Sequence, residues 1–165
     1  CGRARARLRR PAGGGTRDDA GEGSSLAGTR AVRAIGSAGV CDVVAREYAL
    51  KKGAHTPHGV GCGLLLPYVM RFNAPARPKQ MRRIAELLGQ DVSMRDDQSA
   101  AHSAVTAVEH LKQDIGIPAR LSDVDVRPEH LLEMAEMAFS VKRILRVNPR
   151  ELTLQDMQTI LESAI

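Results

Sequence analysis

The residues of this chain that could do chemistry crowd into one stretch, Ala54 to Gly63, which reads A-H-T-P-H-G-V-G-C-G. His55 and His58 stand three apart, Pro57 fixes the backbone before the second, and Gly59, Gly61 and Gly63 leave the following turn open to close approach. An imidazole at the start of a helix, with little bulk around it, suits a ligand for zinc or iron. Two histidines fall short of the three protein ligands of a catalytic metal site, and an H-x-x-H in a loop also reads as a solvent-exposed or structural pair. His102, His110 and His130 lie within or beside charged helix faces and read as exposed side chains. Cys62, Met134 and Met137 read as packing residues. The glycine run Gly13 to Gly15 has no strand before it and no periodic helix after it, so it is neither a P-loop nor a dinucleotide fingerprint.

Positioning His58 requires ordered elements, and composition says which kind. Aromatics make up 2% of the 165 residues, with two Phe, two Tyr and no Trp, so the core is aliphatic and favours helices over a β-sandwich. From about His58 onward apolar residues return at three- and four-residue intervals. The first helix is expected over about 59–72, apolar nearly all round at Leu64, Leu65, Leu66, Val69 and Met70, and kinked by Pro67. Pro78 opens a second helix with Met81, Ile84, Ala85, Leu87 and Leu88 inward and Arg82, Arg83 and Glu86 in water, stopped by Gly89. A third spans about 97–115, with Ala101, Val105, Val108 and Leu111 inward, and ends at Gly116. A fourth begins near Pro128 and passes Leu131, Leu132, Met134, Ala135, Ala138 and Phe139. Thr153 with Asp156 resembles a capping box opening the last helix. The expected fold class is all-α, a helical bundle around a single core.

The first 47 residues differ in kind. They hold nine Arg and no Lys against five acids, nine of the fifteen glycines and only seven large aliphatics, too few to offset the entropy of ordering. Residues 1–47 are therefore expected to be a low-complexity segment, disordered or read out of frame, with 48–165 the helical domain; a marginal helix is conceivable over 25–48. Its arginines could serve as a basic arm, which keeps open a small helical binding module for nucleic acid or a protein partner, but aromatic stacking residues are missing. Asp18, Asp19 and Glu22 have the wrong sign for a transit peptide. Cys1, Cys41 and Cys62 form no C-x-x-C pair, and no apolar run approaches the roughly 18–20 residues that cross a bilayer. A cytoplasmic protein without a membrane partner is expected.

The stretch H-T-P-H-G-V-G-C-G-L-L-L-P-Y-V-M-R-F-N, followed in order by R-R-I-A-E-L-L-G, D-I-G-I-P-A-R-L-S-D-V-D-V and N-P-R-E-L-T-L-Q-D, resembles the C-terminal helical domain of the iron-containing (group III) alcohol dehydrogenases. The resemblance implies hydride transfer between a small alcohol or aldehyde and NAD or NADP, assisted by a divalent metal, iron or zinc, in an enzyme that is a homo-oligomer when intact. It also implies a dinucleotide-binding domain ahead of the helical one, so that this chain by itself is expected to be inactive. The family's metal is held by an Asp and three His, and the His of its P-H-G motif corresponds to His58; His55 carries no such implication. Where the family has its preceding His ligand this chain has Val44, and where it has a His implicated in proton relay this chain has Tyr48, a poorer relay at neutral pH. The family's usual A-N-A after P-H-G-V is Gly61-Cys62-Gly63 here. The resemblance fades at about 45–48.

Overall fold

A computed structural model describes residues 57–165, apart from the side chains of Arg143 and Ile144. Segment 1–47, the marginal helix over 25–48, and His55 lie outside the described residues, as do Val44 and Tyr48.

The described residues form helices joined by turns and loops, without a strand. In order they form α1 (His58–Asn73), a 3-10 turn over Ala74–Ala76, α2 (Pro78–Leu87) and α3 (Asp97–Asp114). Two further 3-10 turns, Leu121–Val124 and Pro128–His130, lead to α4 (Leu131–Ser140), the short α5 (Lys142–Leu145) and α6 (Leu154–Glu162). Each boundary has a local cause. Asp96 accepts hydrogen bonds from the N–H groups of Gln98 and Ser99 and so caps α3. Thr153 and Asp156 close a reciprocal capping box on α6. Beyond α2 and α3 the chain reverses at Gly89 and Gly116, both with φ in the left-handed region that a side chain would resist.

The hydrophobic side chains gather into two clusters where one was expected. Leu64, Leu65 and Val69 of α1 pack with α4, α6, Leu121 and Val126. Met70 and Ala74 lead into a second cluster made with Met81, Ile84 and Ala85 of α2 and Ala100, Ala101, Ala104 and Val105 of α3. α1 is therefore the shared wall, and Leu66 touches both sides. That explains a helix apolar nearly all round: it has two faces to bury. α1 continues as helix through the buried Pro67.

Several inward assignments are corrected by the structure. Leu87 is 54% exposed and Leu111 47% exposed. The cluster takes Ala100, Ala101, Ala104 and Val105 of α3 and the partly buried Val108, and Leu111 lies beyond them. Leu88 follows the end of α2 and is also exposed, and Leu132 faces outward while Leu131 is buried. Arg82 does not simply face water: its guanidinium pairs with Asp97 at 2.7 Å and donates to the carbonyls of Val92 and Arg95, stitching α2 to the linker before α3. The fourth helix begins at Leu131 because Pro128 opens a separate 3-10 turn, and there His130 accepts from the Arg127 N–H at 3.1 Å in place of standing free in solvent. His102 and His110 are exposed.

Candidate metal site

α1 starts where it does because Pro57 is held extended, at φ −56° and ψ 137°, and has no N–H to carry the helix further back. Its carbonyl accepts from the N–H groups of Val60 and Gly61 at 2.9 and 3.3 Å, which closes the first turn. His58 is the first helical residue and its side chain is exposed. One turn later Cys62 is half-buried against the α1–α4–α6 cluster, and its Sγ lies 3.4 Å from His58 Nε2. Four residues apart on a helix is one face, so this neighbourhood follows from spacing.

The glycines around this pair do different work. A Cβ at Gly59 would meet nothing within 4 Å. At Gly63 a Cβ would come within 2.6 Å of Ile117 Cδ1, so Ile117 lies directly on the helix there. The loop that carries Ile117 is fastened further along α1. Tyr68 Oη and Lys112 Nζ both donate to the carbonyl of Ala119, at 3.1 and 3.0 Å. Lys112 is buried, and burial pulls its ammonium below the ordinary lysine value. Burial likewise pushes the Tyr68 phenol up, with the Glu109 carboxylate adding in the same direction. Arg71 pairs with Glu109 of α3 at 2.7 Å. At the far end Asn73 exchanges amide hydrogen bonds with Asn148, and Arg150 stacks on Phe72. α1 is thus held from Gly63 to Asn73, with His58 as its first residue.

Among the described residues no three His, Cys, Asp or Glu come together as a metal-holding group. His58 and Cys62 by themselves fall short of the three protein ligands of a catalytic metal site.

Residues 7–165 match the C-terminal part of the Fe-containing alcohol dehydrogenase family. The chain belongs to that family. It is 36% identical to lactaldehyde reductase of Escherichia coli (strain K12) over 146 residues, covering 88% of this chain and 38% of that protein. It is 34% identical to 1,3-propanediol dehydrogenase of Klebsiella pneumoniae over 157 residues, covering 95% of this chain and 40% of that protein. Among solved structures, the alcohol dehydrogenase from Oenococcus oeni has a TM-score of 0.70 at 30% identity, over 76% of this chain and 32% of that one. The chain spans less than half the length of these relatives. The family match reaches back to residue 7, well upstream of residues 45–48, where the motif resemblance fades.

Three features of the site were not read from the sequence. One is the contact of Cys62 with His58: Cys62 packs against the core cluster as expected, and its i,i+4 spacing also places it on the face of His58. Lys112 carries no such signal, because a lysine in a helix reads as exposed until a neighbouring loop covers it. The Asn73–Asn148 pair joins positions 75 residues apart, beyond any local pattern.

Proposed function

We propose that this chain is the C-terminal helical part of an oxidoreductase that transfers hydride between a small alcohol or aldehyde and NAD or NADP, with His58 as a ligand of its divalent metal, iron or zinc. The observation that carries the reading is His58 itself: an exposed imidazole at the head of a firmly packed helix, within a family match that covers 7–165. A bound divalent ion would supply a Lewis acid for the substrate oxygen. The chain's own contribution is positional. α1 is buried on two faces and pinned at Tyr68, Arg71 and Asn73, so His58 is presented from a rigid support.

The reading places 48–165 as the helical domain, a homo-oligomer in its intact form, cytoplasmic, with neither nucleic acid nor membrane as partner. Among the described residues no helix is long and apolar enough to cross a membrane. The test is to join this chain in frame to a dinucleotide-binding half from a family member. The chain alone should give no alcohol-dependent reduction of NAD or NADP, and the joined protein should recover activity and metal. His58→Ala in the joined protein should lose both, while His55→Ala should be mild. Retention of metal and rate by His58→Ala would remove the assignment.

A further inference from the structure

We infer that the hollow between the end of α4, α5 and the loop before α6 binds a small organic carboxylate, with Lys142 and Arg146 taking the anionic end and an apolar wall taking the rest. Asn148, which lines this hollow, is bonded to Asn73 at the end of α1 opposite His58. The inference therefore stands apart from the assignment of His58.

The cavity is open to solvent on one side and has a volume of about 460 Å3. That lies within the roughly 300–1,000 Å3 of small-molecule sites. Three observations set its chemistry. The first is a pair of cations on one face. The carbonyl of Lys142 accepts from the N–H of Arg146 at 3.2 Å, so the two side chains leave the same face of one turn, where like charges repel. Among the described residues neither of them forms an ion pair. The second is placement. Lys142 Nζ lies 3.2 Å from the centre of the Phe139 ring, whose face holds an ammonium without neutralising it, and both groups line the cavity. The third is the remaining wall. Leu145 and Leu152 extend the apolar surface of Phe139, and Glu151 is the acidic residue among the described lining. Asn148 commits its amide to Asn73 and to the carbonyl of Arg150, so it shapes the wall and is not available to a ligand.

Two cations facing one carboxylate leave a single positive charge for a ligand to answer. That selects a monoanion over a phosphate group, which carries about 1.5–2 negative charges at neutral pH. The guanidinium of Arg146 suits a carboxylate through two parallel N–H donors, the ammonium of Lys142 adds a point charge, and the ligand's hydrocarbon part covers the ring and the leucines. Binding moves no proton and no electron.

The test is an NMR titration of the 15N-labelled 165-residue chain with sodium benzoate as the probe, benzamide as its neutral twin and inorganic phosphate as an anion without an apolar part. Benzoate should shift the backbone amide signals of residues 139–152 saturably. Benzamide and phosphate should bind at least about tenfold more weakly, the scale of a lost charge-assisted hydrogen bond and of an uncovered ring. Lys142→Met and Arg146→Met should each weaken benzoate binding at least about fivefold, and far-UV circular dichroism confirms that each keeps its helix content. Lys79→Met, at an exposed lysine on α2, should leave it unchanged. Benzamide or phosphate binding as tightly as benzoate would overturn the carboxylate site, as would wild-type affinity in both methionine variants. Shifts spread evenly over basic residues away from 139–152 would overturn it too, because they would show a non-specific response to charge.

Discussion

Asn73, at the end of α1, and Asn148, in the loop before α6, exchange two side-chain hydrogen bonds of 2.8 and 2.9 Å. Asn73 is buried, and Asn148 also donates to the carbonyl of Arg150 at 2.6 Å. Arg150 in turn donates to the carbonyl of Phe72 and lies over its ring. The loop that precedes α6 is thereby fastened to the end of α1 opposite His58.

Asn73→Ala should destabilise the domain by about 1–3 kcal/mol, because truncation leaves the Asn148 amide short of a partner in a partly buried place. Urea unfolding followed by circular dichroism measures it. A change within experimental error would show that water replaces the lost amide freely.

Lys112 separates packing from charge. Its stem is buried and its ammonium donates to Ala119, but burial disfavours the charge and Tyr68 already donates to the same carbonyl. Lys112→Met should therefore shift stability by less than about 1 kcal/mol, since an apolar side chain of similar shape removes the desolvation cost. Lys112→Ala should lose about 2 kcal/mol through the cavity it leaves. Equal losses for the two variants would mean that the ammonium's hydrogen bonds outweigh the packing of its stem.

Acid should weaken the fold through its helix caps. The Asp96 carboxyl is held below the ordinary 3.8 by the N–H and hydroxyl of Ser99, and that of Asp156 by the hydroxyl and N–H of Thr153. As pH falls through 3.8 the unfolded chain takes up protons that the folded chain still refuses. The stability these groups contribute is therefore complete above that value and lost as pH falls through their lower folded values. Thermal melts from about pH 6 to about pH 2 should show the decline. Asp156→Asn should flatten it, and Thr153→Ala should cost ~1 kcal/mol at neutral pH.

Gly89 and Gly63 should respond differently to alanine. At Gly89, with φ 80°, an added Cβ is strained whatever the space, and Gly89→Ala should cost about 1 kcal/mol. At Gly63 the obstacle is the far end of the Ile117 side chain, which can turn aside, while helix propensity gains up to about 1 kcal/mol. Gly63→Ala should be close to neutral. A large loss there would show that Ile117 is fixed in place by its loop.

The sequence by itself determined what depends on near neighbours. The spacing of Met81, Ile84 and Ala85, the stop at Gly89, the capping box of Thr153 and Asp156, and the head of α1 at His58 are all set within one or two helical turns, where rotation per residue is constant. The P-H-G-V block and those after it also pointed to the family that the match over 7–165 shows. The tertiary structure decided what depends on how far one helix reaches along another. α1 divides two clusters because both of its faces are covered, a fact that the run Leu64 to Met70 states only as general hydrophobicity. Leu111 fits the apolar stripe of α3 and is exposed because the cluster that buries Ala100 to Val105 does not extend to it. Lys112 fits a solvated face and is buried because the loop through Ala119 folds over it. Local pattern carries the angle at which a side chain leaves its helix, and only packing supplies the surface that meets it.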